Sequence, residues 1–324
     1  MQIKDLQEAY FHFSENQKNE LKSSELFRPI QYILNLKSKK IRPLLALIGY
    51  SLFDDAIDNC MHAAHGLEVF HNFTLMHDDI MDEADLRRGM PSTHKEFGIN
   101  AAILSGDAMS ILAYQYLLHD CKESNALPAL ALFNKTAMDI CIGQQLDMEF
   151  EGRNHLTSEE YIEMITLKTA VFLGMALQLG AIIGGASTAQ SRALYDYGTH
   201  LGIAFQIQDD LLDLIGDQNQ VGKTKGGDIL RKKKTILITK ALEIAPSDTK
   251  KQIMDLLNSD TINTDNKVNQ MIELLDSLQL FDVVRKEIKE HFDLANAHLQ
   301  QLNISEKGKD LLNELTSLLH GRNK

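Results

Sequence analysis

The stretch HNFTLMHDDIMDEADLRRG (residues 71–89) places five acidic residues and two arginines beside a short apolar segment. Within it, DDIMD carries Asp78, Asp79 and Asp82, and on a helix Asp78 and Asp82 lie one turn apart on the same face. Such like-charged neighbours destabilise a helix by about 0.2–0.5 kcal/mol unless a cation lies between them. Solvated acidic faces are common, so this motif alone is weak evidence for a site.

The same spacing recurs in FQIQDDLLD (205–213), where Asp209, Asp210 and Asp213 stand 131 residues further along the chain. The flanking residues are apolar here, and a buried helix does not normally accept three aspartates without compensation. Neither motif has a cysteine or histidine partner at zinc spacing, so together they offer oxygen ligands. Mg²⁺ prefers oxygen ligands and is usually completed by substrate phosphates and water. The repeated motif therefore predicts a Mg²⁺ site.

The rest of the chain favours helices. Only five prolines occur among 324 residues, there is no tryptophan, and 44% of the residues are hydrophobic. Apolar residues recur at helical spacing, as from Tyr161 to Lys168, and Thr157 with Glu160 fits a capping box at the start of that segment. Alternating strands joined by tight hairpin turns are absent from the pattern. We therefore predict one all-α domain over residues 1–324.

Charge and cysteine content exclude several functional classes. The formal net charge is −12, which disfavours non-specific binding to nucleic acid or anionic membranes. Cys60, Cys121 and Cys141 are too few and too scattered for a disulfide framework, which fits a reducing compartment.

The most apolar window (170–186) predicts a buried central helix rather than a membrane span. We expect a cytoplasmic protein with neither a secretory signal nor a membrane span.

An acidic protein that binds anionic ligands needs local basic residues. They occur in KSKKIRP (37–43), DLRRG (85–89), LKTA (167–170) and VGKTKGGDILRKKKT (221–235). Lys168 is the most informative, because a lysine on an apolar helix is unusual without an anionic partner. GDQNQVGKT (216–224) resembles a P-loop, but five residues rather than four separate Gly216 from Gly222 and no strand precedes it. A nucleotide-triphosphate site is therefore not expected.

Taken in order, DDIMD, LRRG, LKTA, FQIQ and DDLLD resemble the motifs of the trans-isoprenyl diphosphate synthases, the polyprenyl synthetase family, over about residues 35–240. The resemblance implies an isoprenoid synthase-type helical bundle around a deep central cavity, usually assembled as a homodimer. It also implies head-to-tail condensation of isopentenyl diphosphate with an allylic diphosphate, with loss of diphosphate.

The resemblance assigns roles to matching positions. It implies that three Mg²⁺ ions are held with the diphosphate by Asp78, Asp82, Asp209 and Asp213, while Asp79 and Asp210 lie outside the ligand set. The allylic diphosphate is assigned to Arg87, Lys168, Lys223 and Lys233. Isopentenyl diphosphate is assigned to Lys39, Arg42, His71 and Arg88. The catalytic group is assigned to Lys168, Thr169 and Gln206, the oxygens of the last two facing the developing carbocation.

Two departures weaken the match locally. Ser38, Lys39 and Lys40 stand where the family usually has Gly-Lys-Arg. Lys232–Thr235 stands where it has Gly-Lys-x-Thr. Basic character survives in both, so the resemblance still implies activity, but Lys40 and Lys233 match least closely.

Product length is expected to depend on the fourth and fifth positions before the first aspartate, which act as a floor in the family. Thr74 and Phe73 occupy these positions, and one aromatic residue implies a short product of C15–C20, with the DDIMD spacing favouring C20. Met109, Leu112 and Tyr114 on the next helix are alternative floor residues.

Other functions remain open at this stage. A longer-chain polyprenyl diphosphate synthase would share every motif, and a non-catalytic subunit of a heteromeric synthase would share the fold. Such a subunit is expected to lose metal ligands or the LKTA lysine, and this chain keeps both. A terpene cyclase typically has one aspartate-rich motif, and a membrane prenyltransferase needs several spans. Catalysis by a short-chain synthase is the prediction.

Overall fold

The computed structural model describes residues 2–20, 24–216, 225–259 and 261–320. Across these ranges the chain is almost entirely helical, and the prediction of an all-α fold is confirmed. The one sheet in the described ranges is a short antiparallel hairpin of β1 (Leu86–Arg87) and β2 (Met90–Pro91). Its two loop residues, Arg88 and Gly89, both have positive φ, as residues of a type I′ hairpin turn do.

The helices are numbered here in chain order. They are α1 (Ile3–Glu20), α2 (Phe27–Asn35), α3 (Ile41–Ser51), α4 (Met61–Met81), α5 (Thr93–Phe97), α6 (Ile99–His119), α7 (Glu123–Gly152), α8 (Ser158–Ile165), α9 (Val171–Ile183), α10 (Thr188–Ile215), α11 (Gly227–Leu230), α12 (Ile236–Ile244), α13 (Ser247–Asn258), α14 (Thr264–Ser277), α15 (Leu280–Gln300) and α16 (Glu306–His320). A 3₁₀ turn (Ile57–Cys60) precedes α4, and a π-helical turn (Thr166–Ala170) joins α8 to α9.

Local sequence signals explain where α8 begins. The Thr157 hydroxyl accepts a hydrogen bond from the Glu160 N–H at 3.1 Å, and the Glu160 carboxylate accepts one from the Thr157 N–H at 2.9 Å. This reciprocal pair satisfies two amide groups that the first turn of a helix otherwise leaves without partners. The predicted capping box is confirmed.

The chain forms two compact units. The first comprises residues 1–133, 176–194 and 303–312, and the second comprises residues 134–175, 195–302 and 313–324. In the first, α4 packs closely on α6 at Gly66, where a Cβ would lie 2.9 Å from the Ala113 carbonyl oxygen. In the second, α7 packs on the π-helical turn at Gly143, where a Cβ would lie 2.3 Å from the Lys168 nitrogen. That residues 1–324 form one domain stays a prediction.

Two helical segments are long and apolar enough to cross a membrane by length and composition, Ile99–His119 and Ser158–Ile183. In the second, 67% of the most apolar window is buried inside the protein, against 33% in the first. Buried core helices pass the same test, so the two segments are weak evidence for a span. The greater burial of Ser158–Ile183 fits the predicted central helix.

Candidate functional site

The first aspartate motif lies at the C-terminal end of α4. Asp78 and Asp79 occupy its last turn, and Asp82 follows it, donating its N–H to the Asp78 carbonyl oxygen at 2.8 Å. The C-terminus of a helix carries partial negative charge, so a carboxylate there costs about 0.3–1 kcal/mol unless a cation offsets it. Asp78 and Asp82 supply carboxylate oxygens of the kind that Mg²⁺ prefers, and their negative charge at the helix end favours binding of a cation. The residues present fit this ion.

Arg87 binds the middle aspartate of this motif. The hairpin returns Arg87 to α4, where its Nε donates to Asp79 Oδ1 and Oδ2 at 3.0 and 3.1 Å. The Asp79 side chain is fully buried, and burial raises its pKa while the Arg87 guanidinium acts to lower it. Arg87 also reaches to 3.8 Å from Asp78 Oδ2. Arg87 is thus shared by both aspartates, with Asp79 as its closer partner.

A cluster of basic side chains surrounds His71 on the same helix. Arg42 Nη1 lies 3.0 Å from His71 Nε2. Burial, followed by the charges of Arg42, Arg88, Arg87 and Lys40, lowers the pKa of His71 well below its usual value. The imidazole is therefore neutral at pH 7, and its Nε2 accepts from Arg42. Burial also lowers the pKa of Arg42 to about 10. Cations concentrated in this way favour an anionic ligand.

Glu68 and Asn72, which the sequence did not single out, organise this basic cluster. The buried Glu68 carboxylate accepts hydrogen bonds from Lys40 Nζ at 2.9 Å and from Asn72 Nδ2 at 2.8 Å. Asn72 Oδ1 in turn accepts from Arg88 Nη1 at 3.4 Å. Lys40 and Arg88 both have positive φ, a backbone conformation that residues other than glycine seldom adopt. Each also has a side-chain partner, Glu68 for Lys40 and Asn72 for Arg88. An acidic residue inside an apolar run of α4 was the signal that could have identified Glu68.

The remaining basic residue assigned to isopentenyl diphosphate, Lys39, is exposed in the segment just before α3. The structure therefore brings Arg42, His71 and Arg88 together. Lys40 joins them through Glu68.

The predicted floor residues belong to an aromatic cluster. The Phe73 ring packs against Phe70 at 5.4 Å, and Phe70 packs against Phe133 at 4.8 Å. Tyr114 contacts Phe133 at 4.8 Å. Thr74 shares the helix face of Asp78, whereas Phe73 points about 140° away around the helix axis. Phe73 thus belongs to the same aromatic cluster as Tyr114, one of the alternative floor residues, to which it is connected through Phe70 and Phe133. The sequence did not single out Phe70 or Phe133.

The second aspartate motif lies near the C-terminal end of α10, in the second unit. Asp210 is buried and accepts hydrogen bonds from the Tyr161 hydroxyl at 2.5 Å and from Gln206 Nε2 at 3.2 Å. Burial raises the pKa of Asp210 to about 8. Asp213 Oδ2 accepts the Asp228 N–H at 3.0 Å and so fixes the start of α11. Asp209 is half-buried.

The π-helical turn positions Lys168. Its Nζ lies 2.5 Å from Asp147 Oδ2, and Lys233 Nζ lies 3.9 Å from the same oxygen. The expectation that Lys168 has an anionic partner is confirmed, but the partner, Asp147 on α7, was not predicted. Single π-helical turns are often found at functional sites. Here the widened turn carries both Lys168 and Thr169.

A cavity of about 150 Å³ in the second unit collects most of its predicted site residues. Its lining includes Lys168, Thr169, Gln206, Asp210 and Lys233, together with Asp147, Tyr161 and Asp228, which the sequence did not assign to a site. Lys234, also in the lining, donates to the carbonyl oxygens of Phe150 and Glu151 at 3.2 and 3.1 Å, at the end of α7. Lys223 lies outside the described residues.

A family model described as polyprenyl synthetase matches residues 23–275. The chain belongs to the polyprenyl synthetase family. It is 38% identical over 254 residues to the short chain isoprenyl diphosphate synthase of Methanocaldococcus jannaschii, covering 78% of this chain and 77% of that protein. It is 34% identical over 297 residues to the geranylgeranyl diphosphate synthase of Sulfolobus acidocaldarius, covering 90% of each.

A solved geranylgeranyl pyrophosphate synthase has the same fold, with a TM-score of 0.94 and 36% identity over 100% of both chains. This polyprenyl synthetase is therefore a prenyltransferase. Members of the family use Mg²⁺.

Proposed function

We propose that this polyprenyl synthetase condenses isopentenyl diphosphate head to tail with allylic diphosphates, releasing diphosphate and giving an all-trans product of C15–C20. The arrangement at α4 supports this proposal most strongly. At its C-terminal end α4 carries one cluster, the carboxylates of Asp78 and Asp82, and two turns earlier it carries the basic cluster around His71. The first cluster suits metal ions that bind one diphosphate, and the second suits a diphosphate bound directly.

Asp78, Asp82, Asp209 and Asp213 are proposed to hold Mg²⁺ ions, three in number, with the allylic diphosphate. When bound, Mg²⁺ neutralises charge on the diphosphate and so makes it a better leaving group. Arg87, Lys168, Lys223 and Lys233 contribute fixed cations to the same substrate. The contacts of Lys168 and Lys233 with Asp147 support this role, because Asp147 holds both lysines in place at one cavity.

Isopentenyl diphosphate is proposed to bind the basic cluster with Lys39. Arg42 and Arg88 offer charged donors to its diphosphate, and neutral His71 remains a hydrogen-bonding group beside them. Glu68 and Asn72 position this cluster by holding Lys40 and Arg88.

The reaction breaks the C–O bond of the allylic diphosphate and forms a C–C bond to the double bond of isopentenyl diphosphate. The oxygens of Thr169 and Gln206 face the developing carbocation, and Lys168 holds the departing diphosphate. The proton lost from the new intermediate goes to that diphosphate. Apolar side chains around the cation exclude water, which would otherwise capture it.

Phe73, with Thr74, is proposed to limit product length. The contact of the Phe73 ring with Phe70 supports this proposal, because it shows Phe73 to be part of an aromatic cluster on α4. Phe73→Ala should shift the products to longer chains, measured by sizing the dephosphorylated products. Unchanged products would exclude Phe73 as the floor, and Tyr114→Ala would then test the neighbouring helix.

A homodimer is proposed on the evidence of α6. Leu104 and Ile111, one heptad apart, are 61% and 62% exposed on this apolar helix, and Leu118 continues the row. Exposed apolar rows of this kind mark protein interfaces. Sedimentation at twice the chain mass of 36.5 kDa would support the dimer, and a variant with both Leu104→Glu and Ile111→Glu should dissociate it.

We also propose a cytoplasmic location, in keeping with the cysteine content.

The experiment that tests the function combines the purified protein with Mg²⁺, labelled isopentenyl diphosphate and, separately, C5, C10 and C15 allylic diphosphates. Products ending at C15 or C20 are expected. Products well beyond C20 would retain the chemistry and overturn the proposed length. No product with any primer would favour a non-catalytic subunit.

A further inference from the structure

Three metal-ligating side chains meet at the start of α4, away from the aspartates at its other end. His62 lies in the first turn of α4, His119 is the last residue of α6, and Asp120 follows it. At 1.5 Å per residue, His62 and Asp78 are about 24 Å apart along the helix. One ligand atom from each of the three residues lies within 4.8 Å of the other two. This cluster is separate from the substrate site.

The carboxylate of Asp120 is the fixed centre of the cluster. Its Oδ1 lies 3.1 Å from His62 Nδ1 and 3.0 Å from His119 Nδ1. Its Oδ2 accepts the Ala63 N–H at 2.9 Å, at the N-terminus of α4. The Asp120 side chain is only 4% exposed, whereas His119 is 60% exposed. One ligand is therefore held rigidly, and the cluster opens to solvent through His119.

The separations suit a shared metal ion. Two ligand atoms about 2.1 Å from a tetrahedral Zn²⁺ lie about 3.4 Å apart, close to both Nδ1–Oδ1 distances. The imidazole rings of His62 and His119 are stacked, with centroids 3.6 Å apart and planes at 26°. Coordination of one ion by both rings requires the exposed His119 ring to tilt, so that its Nδ1 lone pair also points at the ion. On binding, each neutral imidazole coordinates through an unprotonated Nδ1 and carries its proton on Nε2.

We propose that His62, His119 and Asp120 form a binding site for a divalent transition-metal ion of the Zn²⁺ class, which links the start of α4 to the end of α6. Two imidazole nitrogens and one carboxylate oxygen suit Zn²⁺ and its neighbours, whereas Mg²⁺ prefers oxygen alone. Water completes the coordination at the exposed side. The ion thus differs in class from the one proposed for the aspartate motifs.

The test is a calorimetric titration of the metal-free, full-length protein with Zn²⁺ in excess Mg²⁺, which competes for the aspartate motifs. One tight Zn²⁺ per chain is expected to depend on both histidines. His62→Gln and His119→Gln should each weaken that binding at least tenfold, because even a residue that only supports a ligand contributes about 10–100-fold. His155→Gln, at an exposed histidine in the loop before α8, is the matched control and should bind like wild type.

Asp120→Asn tests the carboxylate ligand in a variant that is expected to fold, because the amide oxygen of Asn can still accept the Ala63 N–H. It should bind Zn²⁺ at least tenfold more weakly while unfolding at the wild-type temperature without metal. Zn²⁺ should also raise the unfolding temperature of wild type but not of His119→Gln. Equal Zn²⁺ affinity in wild type, His62→Gln and His119→Gln would overturn the proposal.

Discussion

The two aspartate motifs have the same spacing, but the buried carboxyl groups of their middle aspartates are stabilised by different partners. Asp79 is fully buried against the guanidinium of Arg87. Asp210 is also buried, but it receives hydrogen bonds from the neutral side chains of Tyr161 and Gln206. Burial raises the pKa of both carboxyls, and for Asp210 it reaches about 8. Asp79 therefore belongs to an ion pair, whereas Asp210 holds a proton at neutral pH when no metal is bound.

This difference shows that the spacing of the aspartates and the side chains packed around them determine different properties of each motif. The repeat sets which aspartates share a helix face, and in both motifs these are the outer pair. The charge state of the middle aspartate depends on which side chains pack against it. The two motifs should therefore respond alike when an outer aspartate is removed and differently when the middle one is neutralised.

The largest expected effect tests the similarity. Asp78→Ala and Asp209→Ala should each lower kcat by more than about 10²-fold, because each removes a charged ligand that acts on the leaving diphosphate. Steady-state kinetics with labelled isopentenyl diphosphate measures the loss. Asp58→Ala, at an exposed aspartate of the 3₁₀ turn, is the control and should keep the wild-type rate. A near-normal Mg²⁺-dependent rate in either site variant would remove that motif from the metal assignment.

Neutralising Asp79 tests its ion pair. Asp79→Asn should lower the free energy of unfolding by about 3 kcal/mol, because Arg87 then keeps a largely buried charge without its main partner. Urea denaturation of the metal-free protein measures the change. Arg87→Met in the Asp79→Asn background should recover part of the loss, since both charges are then gone. If the double variant is no more stable than Asp79→Asn, the ion pair is not the cause.

Neutralising Asp210 should have a smaller and pH-dependent effect. Only the folded state holds the Asp210 proton between the usual carboxyl pKa of 3.8 and about 8, so wild-type stability falls as pH rises through this window. Asp210→Asn has no such proton to lose. Relative to wild type it should gain about 2 kcal/mol between pH 6 and 8. Denaturation in chelator at several pH values measures the difference, and a pH-independent difference would contradict a protonated Asp210.

Local features of this fold were predictable from the sequence, because they depend on neighbouring residues. The Thr157–Glu160 capping box and the helical face shared by Asp78 and Asp82 follow from spacing alone. The partners of buried charges were not predictable. Asp147 meets Lys168 only because α7 packs on the π-helical turn at Gly143, and no local pattern encodes that contact.

Tyr161 is a second residue whose partner in the fold could not be predicted from the sequence. The sequence placed Tyr161 in a stripe with helical spacing, and in the structure Tyr161 is buried. The stripe assumed an uninterrupted helix from Tyr161 to Lys168, but the π-helical turn begins at Thr166 and changes the direction of Lys168. The stripe also gave no sign that the Tyr161 hydroxyl binds Asp210.

Removing that hydroxyl gives the smallest expected effect and the sharpest test of the contrast between the motifs. Tyr161→Phe should cost about 1 kcal/mol for one lost hydrogen bond. Because the Tyr161 hydrogen bond acts to lower the pKa of Asp210, its loss should raise that pKa and extend the pH-dependent fall in stability above pH 8. Tyr197→Phe is a matched control, since the Tyr197 hydroxyl binds the neutral Thr316 at 2.8 Å. It should lose a similar amount at every pH. Parallel curves for the two variants between pH 8 and 9 would show that Tyr161 does not control the Asp210 proton, and the contrast with Asp79 would then rest on burial alone.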